Sequence, residues 1–329
     1  MYKLVRAPFR ISLFGGGSDY PEYYQKKPGS VLGFSIDKYI YLSCLTYQNF
    51  EKKKKFLISY SNTEHEDFLS KIKHKVIKKV FKFYDVNFPL HLCIQSEIPA
   101  QSGLGSSSVF TVGILNLVHS MINIKLKKKE LAQMAIKFEQ KILNESVGSQ
   151  DQCLSAFGGF NLIKFYKNEI KVRSILNYKD QYKELFDCIY LVFSNGTRSA
   201  YEVVKDQITN TKQGRLNESI KQGQIILAEA LRVFNKKKIN YIYEISELLN
   251  QSWEIKKTFS SVITNKEIDY LYQKMLDCGA IGGKLCGAGQ AGFLLAIVPK
   301  KNQENFIQKM KNYELFKVRL DMDGSKILI

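Results

Sequence analysis

The sequence predicts a protein of two domains in which α-helices and β-strands are mixed. The chain has 329 residues, 45% of them hydrophobic, so it can bury two cores of ordinary size. Segments rich in β-branched and aromatic residues alternate with segments whose apolar residues recur at helical spacing. Polarity rises over residues 165–185, so we predict a boundary there and domains of 1–183 and 184–329.

The first hundred residues are dominated by strand-forming segments. Residues 1–14 alternate like a strand that Pro8 interrupts, and a glycine-rich turn with one carboxylate, Asp19, follows at 15–21. Further strands are predicted at 31–44, at the end of 51–61 and at 91–99. A helix is predicted over 64–84 from the spacing of Phe68, Ile72, Val76 and Val80.

The stretch 99–115 is the most informative part of the chain. It contains a Gly-Leu-Gly turn, three consecutive serines and then an apolar run with helical spacing. Gly103 and Gly105 allow positive φ and a close approach by a ligand. The amides of residues 105–108 would be the unpaired donors at a helix start, where the helix dipole favours an anion such as phosphate. A capped helix after a turn is the simpler alternative, although three serines exceed what a cap requires.

Two carboxylates further along the chain are open to more than one interpretation. Glu139 lies near the C-terminal end of an amphipathic helix predicted over 131–142, where the dipole disfavours a negative charge. It is either solvated or paired with a cation. Asp151 follows a Gly/Ser turn, and a helix-start carboxylate and a catalytic carboxylate fit that position equally well.

The C-terminal half is predicted to be richer in helices. An apolar strand at 187–195 is followed by a turn at 196–199. Helices are then predicted at 214–235, 240–258, 266–278 and 302–313, with strands at 293–298, 315–321 and 325–329.

A second glycine-rich turn, at 279–292, imitates two known nucleotide motifs. Residues 287–292 match G-x-G-x-x-G, but a helix precedes them and a strand follows, which is the reverse of a dinucleotide site. A P-loop fails because Cys278 and Leu285 occupy its required Gly and Ser/Thr positions. The turn either packs against the loop at 103–108 or simply joins helix to strand, and its residues alone favour the latter.

Composition narrows the class of protein. A net charge of +18 favours anionic partners, but the lysines are scattered and no nucleic-acid-binding motif is present. The six cysteines form no CxxC pair and are predicted to be buried free thiols. Arg10 interrupts the only early apolar stretch, and the late apolar run 293–298 is too short to span a membrane. We therefore predict a soluble cytoplasmic protein that binds neither nucleic acid nor membrane.

Three glycine-rich blocks resemble the GHMP small-molecule kinases. They are APFRISLFGGGSDY at 7–20, PAQSGLGSSS at 99–108 and GGKLCGAGQAGF at 282–293, and the second is the most specific. The resemblance covers almost the whole chain. It implies an α+β fold, in which an N-terminal domain like ribosomal protein S5 domain 2 packs against a ferredoxin-like C-terminal domain with the active site in the cleft.

Within that family the chain resembles the kinases of sugar anomeric hydroxyls. This implies ATP and Mg²⁺ as cofactors, and phosphorylation of the C1 hydroxyl of D-glycero-D-manno-heptose 7-phosphate to the 1,7-bisphosphate. By the same resemblance Asp151 is the catalytic carboxylate, Arg10 its basic neighbour, and Ser107 and Glu139 the metal ligands. The ATP-binding residues implied are Pro99, Gly103, Leu104, Gly105, Ser106, Ser107 and Ser108.

Except for Arg198, the substrate residues lie in the first and third blocks. Gly16 and Gly17 stand where galactokinase has a Glu-His pair, which disfavours galactose and suits a longer sugar. A sugar phosphate would also need cations, for which Arg198 is the first candidate and Lys284 and Lys256 are the next. The substrate-binding residues implied are Gly16, Gly17, Ser18, Asp19, Arg198, Lys284, Gly287, Ala288 and Gly289.

Other functions remain open from the sequence. A kinase of an unphosphorylated sugar such as fucose or galactose fits the same motifs. A non-catalytic regulator that binds ATP and sugar would have no need for Asp151, and a nucleic-acid-binding protein rests on the charge alone. The partners we expect are ATP and a sugar phosphate. The sequence is also compatible with a homodimer of this chain.

Overall fold

The computed structural model describes residues 1–47, 55–175, 182–194, 196, 201–236 and 240–329, and only the backbone of residues 201 and 202. The strands of these residues are β1 (Tyr2–Phe14), β2 (Gly29–Thr46), β3 (Phe56–Ser59), β4 (Thr63–Glu66), β5 (Leu90–Ser96), β6 (Phe160–Phe165), β7 (Ile170–Ser174), β8 (Ile189–Phe193), β9 (Gly282–Leu285), β10 (Phe293–Ile297), β11 (Leu315–Lys317) and β12 (Lys326–Ile327). The helices are α1 (Pro21–Tyr24), α2 (Lys75–Phe83), α3 (Ser106–Met121), α4 (Lys128–Lys137), α5 (Gln150–Phe157), α6 (Lys183–Asp187), α7 (Tyr201–Lys212), α8 (Asn217–Asn235), α9 (Tyr241–Lys257), α10 (Lys266–Asp277) and α11 (Gln303–Lys309).

The first sheet has eight strands in the order β12-β1-β2-β5-β3-β4, with β6 and β7 branching from β2. The long strands β1 and β2 are antiparallel, and their register shifts between Pro8 and Arg10. Pro8 therefore lies at a bulge inside one continuous strand and does not end it. The bulge lies next to Arg10, which points into the functional cleft described below.

The second sheet is antiparallel and has four strands in the order β11-β8-β10-β9. Its strands and the helices around them belong to the second half of the chain. The last strand, β12, instead pairs with β1 of the first sheet. The predicted α+β class is confirmed, whereas the boundary at 183/184 stays a prediction.

Helix α3 lies at the centre of the first half. Every residue from Ser108 to Met121 is buried, because α3 packs against β1, β2, α4 and α5. A helix that is apolar on all sides needs such a surrounding. One continuous apolar core joins this region to the second half, and its members include Leu13, Phe160, Phe234 and Leu295.

The helix predicted over 64–84 is wrong in its first half. Thr63–Glu66 pairs with β3 as a hairpin, and the Glu64 carboxylate accepts hydrogen bonds from the amides of Lys73 and His74. The helix begins only at Lys75, after His74 as its N-cap. Local polar bonds outweighed the apolar spacing of Phe68 and Ile72.

The cysteines, the elements that the sequence did not predict and the lengths of the helices complete the description of the fold. All six cysteines are free; five are buried and Cys93 is half-buried. Strands β6, β7 and β9 and helix α7 were not predicted from the sequence, and β9 occupies residues 282–285 of the turn predicted at 279–292. No helix among the described residues is long and apolar enough to cross a membrane.

Candidate active site

A cleft of about 290 Å³ lies where the two halves of the chain meet. Its walls come from the turn after β1, the loop before α3, the start of α5, helix α9 and the glycine-rich turn after β9. Three segments far apart in sequence are thus brought to one place. These are the three glycine-rich blocks that the sequence singles out.

Gly105 ends the loop at one side of the cleft and is the N-cap of α3. Its φ is +78°, a left-handed conformation that favours glycine. A Cβ here would lie 2.9 Å from Oδ2 of Asp151 and 3.0 Å from the guanidinium of Arg10. The amides of Ser106, Ser107 and Ser108 open the helix beside this point, so N–H donors of the kind that suit an anion lie directly next to the carboxylate.

Asp151 is held by Arg10 in a two-pronged ion pair. Nε of Arg10 donates to Oδ1 over 2.7 Å, and Nη2 donates to Oδ2 over 2.6 Å. The third bond of the guanidinium runs from Nη1 to the carbonyl oxygen of Gly103, at 3.0 Å. Burial alone would lower the pKa of Arg10, but the charge of Asp151 and its hydrogen bonds raise it overall. Arg10 thus fixes both the carboxylate and the glycine loop in one geometry.

Asp19 is a second carboxylate in the cleft. It is only 1% exposed, and burial together with the charge of Asp151 raises its pKa to about 6, while hydrogen bonds from amides such as that of Gly17 act in the opposite direction. Oγ of Ser12 and Oε1 of Gln150 belong to residues that also line the cleft, and neither atom has a hydrogen-bond partner among the described residues. These polar groups suit a ligand with several hydroxyls.

The turn after β9 packs directly on the glycine loop. The amide of Phe293 donates to the carbonyl oxygen of Ser102 over 3.0 Å. A Cβ on Gly287 would lie 2.5 Å from Cα of Gly103. Of the two interpretations left open by the sequence, packing against the loop is therefore what the structure shows, and the second half of the chain closes one side of the cleft.

Gly287→Ala is expected to weaken ATP binding and lower activity by about tenfold or more. Gly287 has φ +68°, and neither its backbone nor that of Gly103 can yield without moving the loop. The Kd for ATP and the unfolding temperature would check this. Gly223→Ala is the matched control: Gly223 also lines the cleft, but a Cβ there meets nothing within 4 Å, and alanine should stabilise α8 by up to about 1 kcal/mol. Equal ATP affinities in the two variants would contradict the close-packing argument.

Glu139 is fully buried behind the loop. It lies in a π-turn, Phe138–Ile142, that continues α4. Its carboxylate accepts from Oγ of Ser108 at 2.9 and 3.2 Å, from Oγ1 of Thr111 at 3.2 Å and from the side-chain amide of Gln152. Burial raises its pKa to about 7, although the bonds from Gln152 and Ser108 oppose the shift. Glu139 thereby ties the first turn of α3 to that of α5.

The residues predicted to bind Mg²⁺ do not fit that ion as they lie here. Ser107 is exposed on the cleft wall, whereas Glu139 contacts Ser108 and already accepts from three side chains. Magnesium needs oxygen ligands that are free to face it. No cluster of three or more His, Cys, Asp or Glu side chains suited to a metal occurs among the described residues. The assignment of Ser107 and Glu139 to the metal stays a prediction.

Glu139→Gln is expected to flatten the pH dependence of stability. Between pH 4.5 and about 7 the folded protein keeps a proton on Glu139 that the unfolded chain has released. The free energy of unfolding therefore falls as pH rises through this range, by about 3 kcal/mol at most. Denaturant unfolding at pH 5 and pH 7.5 should show a smaller loss in the variant than in the wild type. Equal losses would mean that the carboxylate ionises normally despite its burial.

Most of the predicted site residues reach the cleft. Pro99 is exposed outside it, Leu104 and Ser18 are buried in its supporting structure, and Arg198 lies outside the described residues. The predicted residues that line the cleft are Arg10, Gly16, Gly17, Asp19, Gly103, Gly105, Ser106, Ser107, Ser108, Asp151, Lys256, Lys284, Gly287, Ala288 and Gly289.

Helices α7 and α9 supply lining residues that the sequence analysis did not single out. Gln207 of α7 and Ser252 of α9 are examples, and Phe259 lines the cleft just after α9 ends. Ser252 lies one turn before Lys256 in the same helix, so the position of Lys256 could have suggested it. Gln207 carries no local signal, because only the packing of α7 brings it to the cleft.

The fold and the cleft define a phosphotransferase that acts on a small molecule. Residues 71–159 match the model of the GHMP kinases N terminal domain, and residues 228–314 match that of the GHMP kinases C terminal domain. A D-glycero-alpha-D-manno-heptose 7-phosphate kinase from Campylobacter jejuni is 30% identical over 326 residues, covering 93% of this chain and 92% of the relative. The chain belongs to the GHMP kinase family.

Two further comparisons show how broad this similarity is. A galactokinase from Thermosipho africanus is 25% identical, covering 96% of this chain and 95% of the relative. The crystal structure of a D-glycero-D-manno-heptose 1-phosphate kinase from Bacteroides thetaiotaomicron superposes with a TM-score of 0.76 at 22% identity, over 100% of this chain and 99% of that one. The GHMP kinase fold is thereby confirmed. The chain is a sugar kinase of this family.

Proposed function

We propose that this kinase transfers the γ-phosphoryl group of ATP to the anomeric hydroxyl of D-glycero-D-manno-heptose 7-phosphate, forming the 1,7-bisphosphate. The observation that most supports this reaction is the Arg10–Asp151 ion pair, which lies beside the glycine loop: a Cβ on Gly105 would be only 2.9 Å from Oδ2 of Asp151. The substrate is supported by the heptose 7-phosphate kinase that matches 93% of the chain. Such a product would enter the synthesis of nucleotide-activated heptose, in the cytoplasm.

Asp151 acts as the general base in this proposal. It takes the proton of the anomeric hydroxyl as that oxygen forms a bond to the γ-phosphorus, while the bond from phosphorus to the bridging oxygen of ADP breaks. Arg10 fixes the carboxylate, and the amides at the start of α3 hold the phosphates. Phosphoryl transfer depends mainly on positioning and charge stabilisation, and these groups supply both. Mg²⁺ is included in the proposal on the family resemblance, and no step is assigned to it.

The acceptor sugar is placed beside the turn after β1. Asp19, Ser12 and Gln150 offer polar atoms there. Gly16 leaves room for a seven-carbon sugar, because a Cβ on it would meet only Oγ of Ser12 at 3.9 Å, whereas the ring of Phe259 occupies the place of a side chain at Gly17. Galactokinase has bulky polar groups at these two positions. The first block therefore favours a heptose over galactose.

ADP release measured with a panel of sugars and sugar phosphates tests the proposal. The panel contains heptose 7-phosphate, the same heptose without phosphate, galactose and fucose. We expect turnover with heptose 7-phosphate and a kcat/KM at least tenfold lower without its phosphate. A higher kcat/KM with any unphosphorylated sugar would replace heptose 7-phosphate by that sugar as the substrate.

A further inference from the structure

Two lysines in the cleft have no acidic partner among the described residues. Lys256 lies in the last turn of α9, and Lys284 lies in β9 and is 5% exposed. Lys256 Nζ donates to the carbonyl oxygens of Leu285 at 2.8 Å and Gly287 at 2.6 Å. Lys284 Nζ donates to the carbonyl oxygen of Leu13 at 2.9 Å. Both side chains line the cleft.

The hydrogen bonds of these lysines are incomplete. An ammonium group has three N–H donors. Within the described part of the chain, one donor of Lys256 and two of Lys284 lack an acceptor. Lys284 is buried and Lys256 is half-buried beside it, and a buried charge without a counter-ion is costly, so its retention indicates that an anion completes the site. Lys257, the next residue, differs from these two lysines because it has an acidic partner: its side chain is 29% exposed and its Nζ lies 2.7 Å from the carboxylate of Glu254.

The position of the two ammonium groups indicates which anion they would meet. Gly287, whose carbonyl binds Lys256, packs on Gly103 of the glycine loop. Leu13, whose carbonyl binds Lys284, lies two residues before the turn at 15–21 that carries Asp19. The pair therefore lies between the loop for the donor phosphates and the turn for the acceptor.

We propose that Lys256 and Lys284 form a phosphate-binding site in the cleft, which holds a phosphoryl group of ATP or of the sugar phosphate. This inference rests on the proposed kinase function and specifies how its site recognises phosphate. The alternative role is purely structural: the lysines would only tie the glycine-rich turn and β1 to the second half of the chain.

The two roles differ in proton uptake. Burial, followed by the charges of Lys284 and Arg10, lowers the pKa of Lys256 to about 7. Burial and the charge of Arg10 lower the pKa of Lys284 to about 8. The Cys286 thiol raises the pKa of both lysines in part. A bound phosphate dianion would raise both values. Binding at pH 8 would then draw protons from the buffer, whereas a structural tie would draw none.

Isothermal titration calorimetry at pH 8 in two buffers of different ionisation enthalpy measures that uptake. The ligands are ATP, heptose 7-phosphate and the heptose without phosphate, and the variants are Lys256→Met, Lys284→Met, Lys256→Arg and Lys284→Arg. We expect wild-type uptake with at least one phosphate-bearing ligand and none with the plain heptose. Each methionine variant should bind the phosphate-bearing ligand with an affinity about tenfold or more lower than that of the wild type. Each arginine variant should keep most of the affinity. It should lose the proton uptake of the lysine that it replaces, because arginine is already protonated before the ligand binds.

Lys257→Met is the matched control and should change neither affinity nor uptake. The ligand that shows uptake identifies the source of the phosphate. Absence of uptake with both phosphate ligands in the wild type overturns the proposal, even if a methionine variant fails to fold. So does unchanged affinity for both in folded Lys256→Met and Lys284→Met. If ATP shows the effect but heptose 7-phosphate neither binds nor reacts, the site stands and the proposed substrate fails.

Discussion

Asp151→Asn is expected to lower kcat by roughly 10²- to 10⁴-fold while ATP still binds. The amide keeps the shape of the carboxylate but cannot take a proton from the acceptor hydroxyl. It also replaces the ion pair with Arg10, in which two bonds of 2.7 and 2.6 Å hold the side chain. Single-turnover measurements of phosphoryl transfer, with the Kd for ATP measured separately, would separate chemistry from binding.

The control for this variant is Asp277→Asn. Asp277 is an exposed carboxylate at the end of α10 that accepts a hydrogen bond from Gln273. Its removal should leave kcat within about twofold of the wild type. A kcat near the wild-type value for Asp151→Asn would place the general base elsewhere in the cleft, and Asp19 would be the next residue to test.

Arg10→Met should lower kcat/KM by roughly 10²- to 10³-fold and destabilise the protein by about 1–3 kcal/mol. The change removes three hydrogen bonds, to Asp151 twice and to the carbonyl oxygen of Gly103. The carboxylate would lose its orientation and the glycine loop its support from β1. Arg10→Lys should recover part of the stability but little of the activity, because an ammonium cannot form the two-pronged pair. Steady-state kinetics and urea unfolding would measure the two effects.

Arg6→Met provides the comparison on the same strand. Arg6 contacts Asp323 at 3.0 Å and Asp321 at 3.7 Å, away from the cleft. Its loss should lower stability without changing kcat. If Arg10→Met behaved in the same way, Arg10 would be a structural residue with no part in the reaction.

The motifs allowed the composition of the cleft to be predicted better than its internal contacts. The place of Gly103 and of residues 105–108 in the cleft could be predicted from the sequence, because a glycine turn before an apolar helix is a local pattern. The pairing of Ser108 with Glu139 could not be predicted in this way. It depends on how α4 ends in a π-turn and on where α5 begins, which are outcomes of packing.

The secondary structure shows the same division. Helices α8, α9 and α10 lie close to their predicted ranges because their apolar spacing is regular and long. Strand β3 was predicted at the end of 51–61, but its partner β4 was missed, because β4 is held by pairing with β3 and by the bonds to Glu64, which no local pattern reveals. The same limit applies to Gln207, which α7 brings to the cleft from a distant part of the chain.

The apolar core that joins the two halves has a consequence for how the molecule melts. Phe160 of the first sheet stacks edge-on against Phe234 of α8, and Leu295 of the second sheet belongs to the same cluster. Neither half can lose its structure without exposing side chains of the other to water. Heating should therefore produce one cooperative calorimetric transition, and a fragment that ends at residue 183 should aggregate.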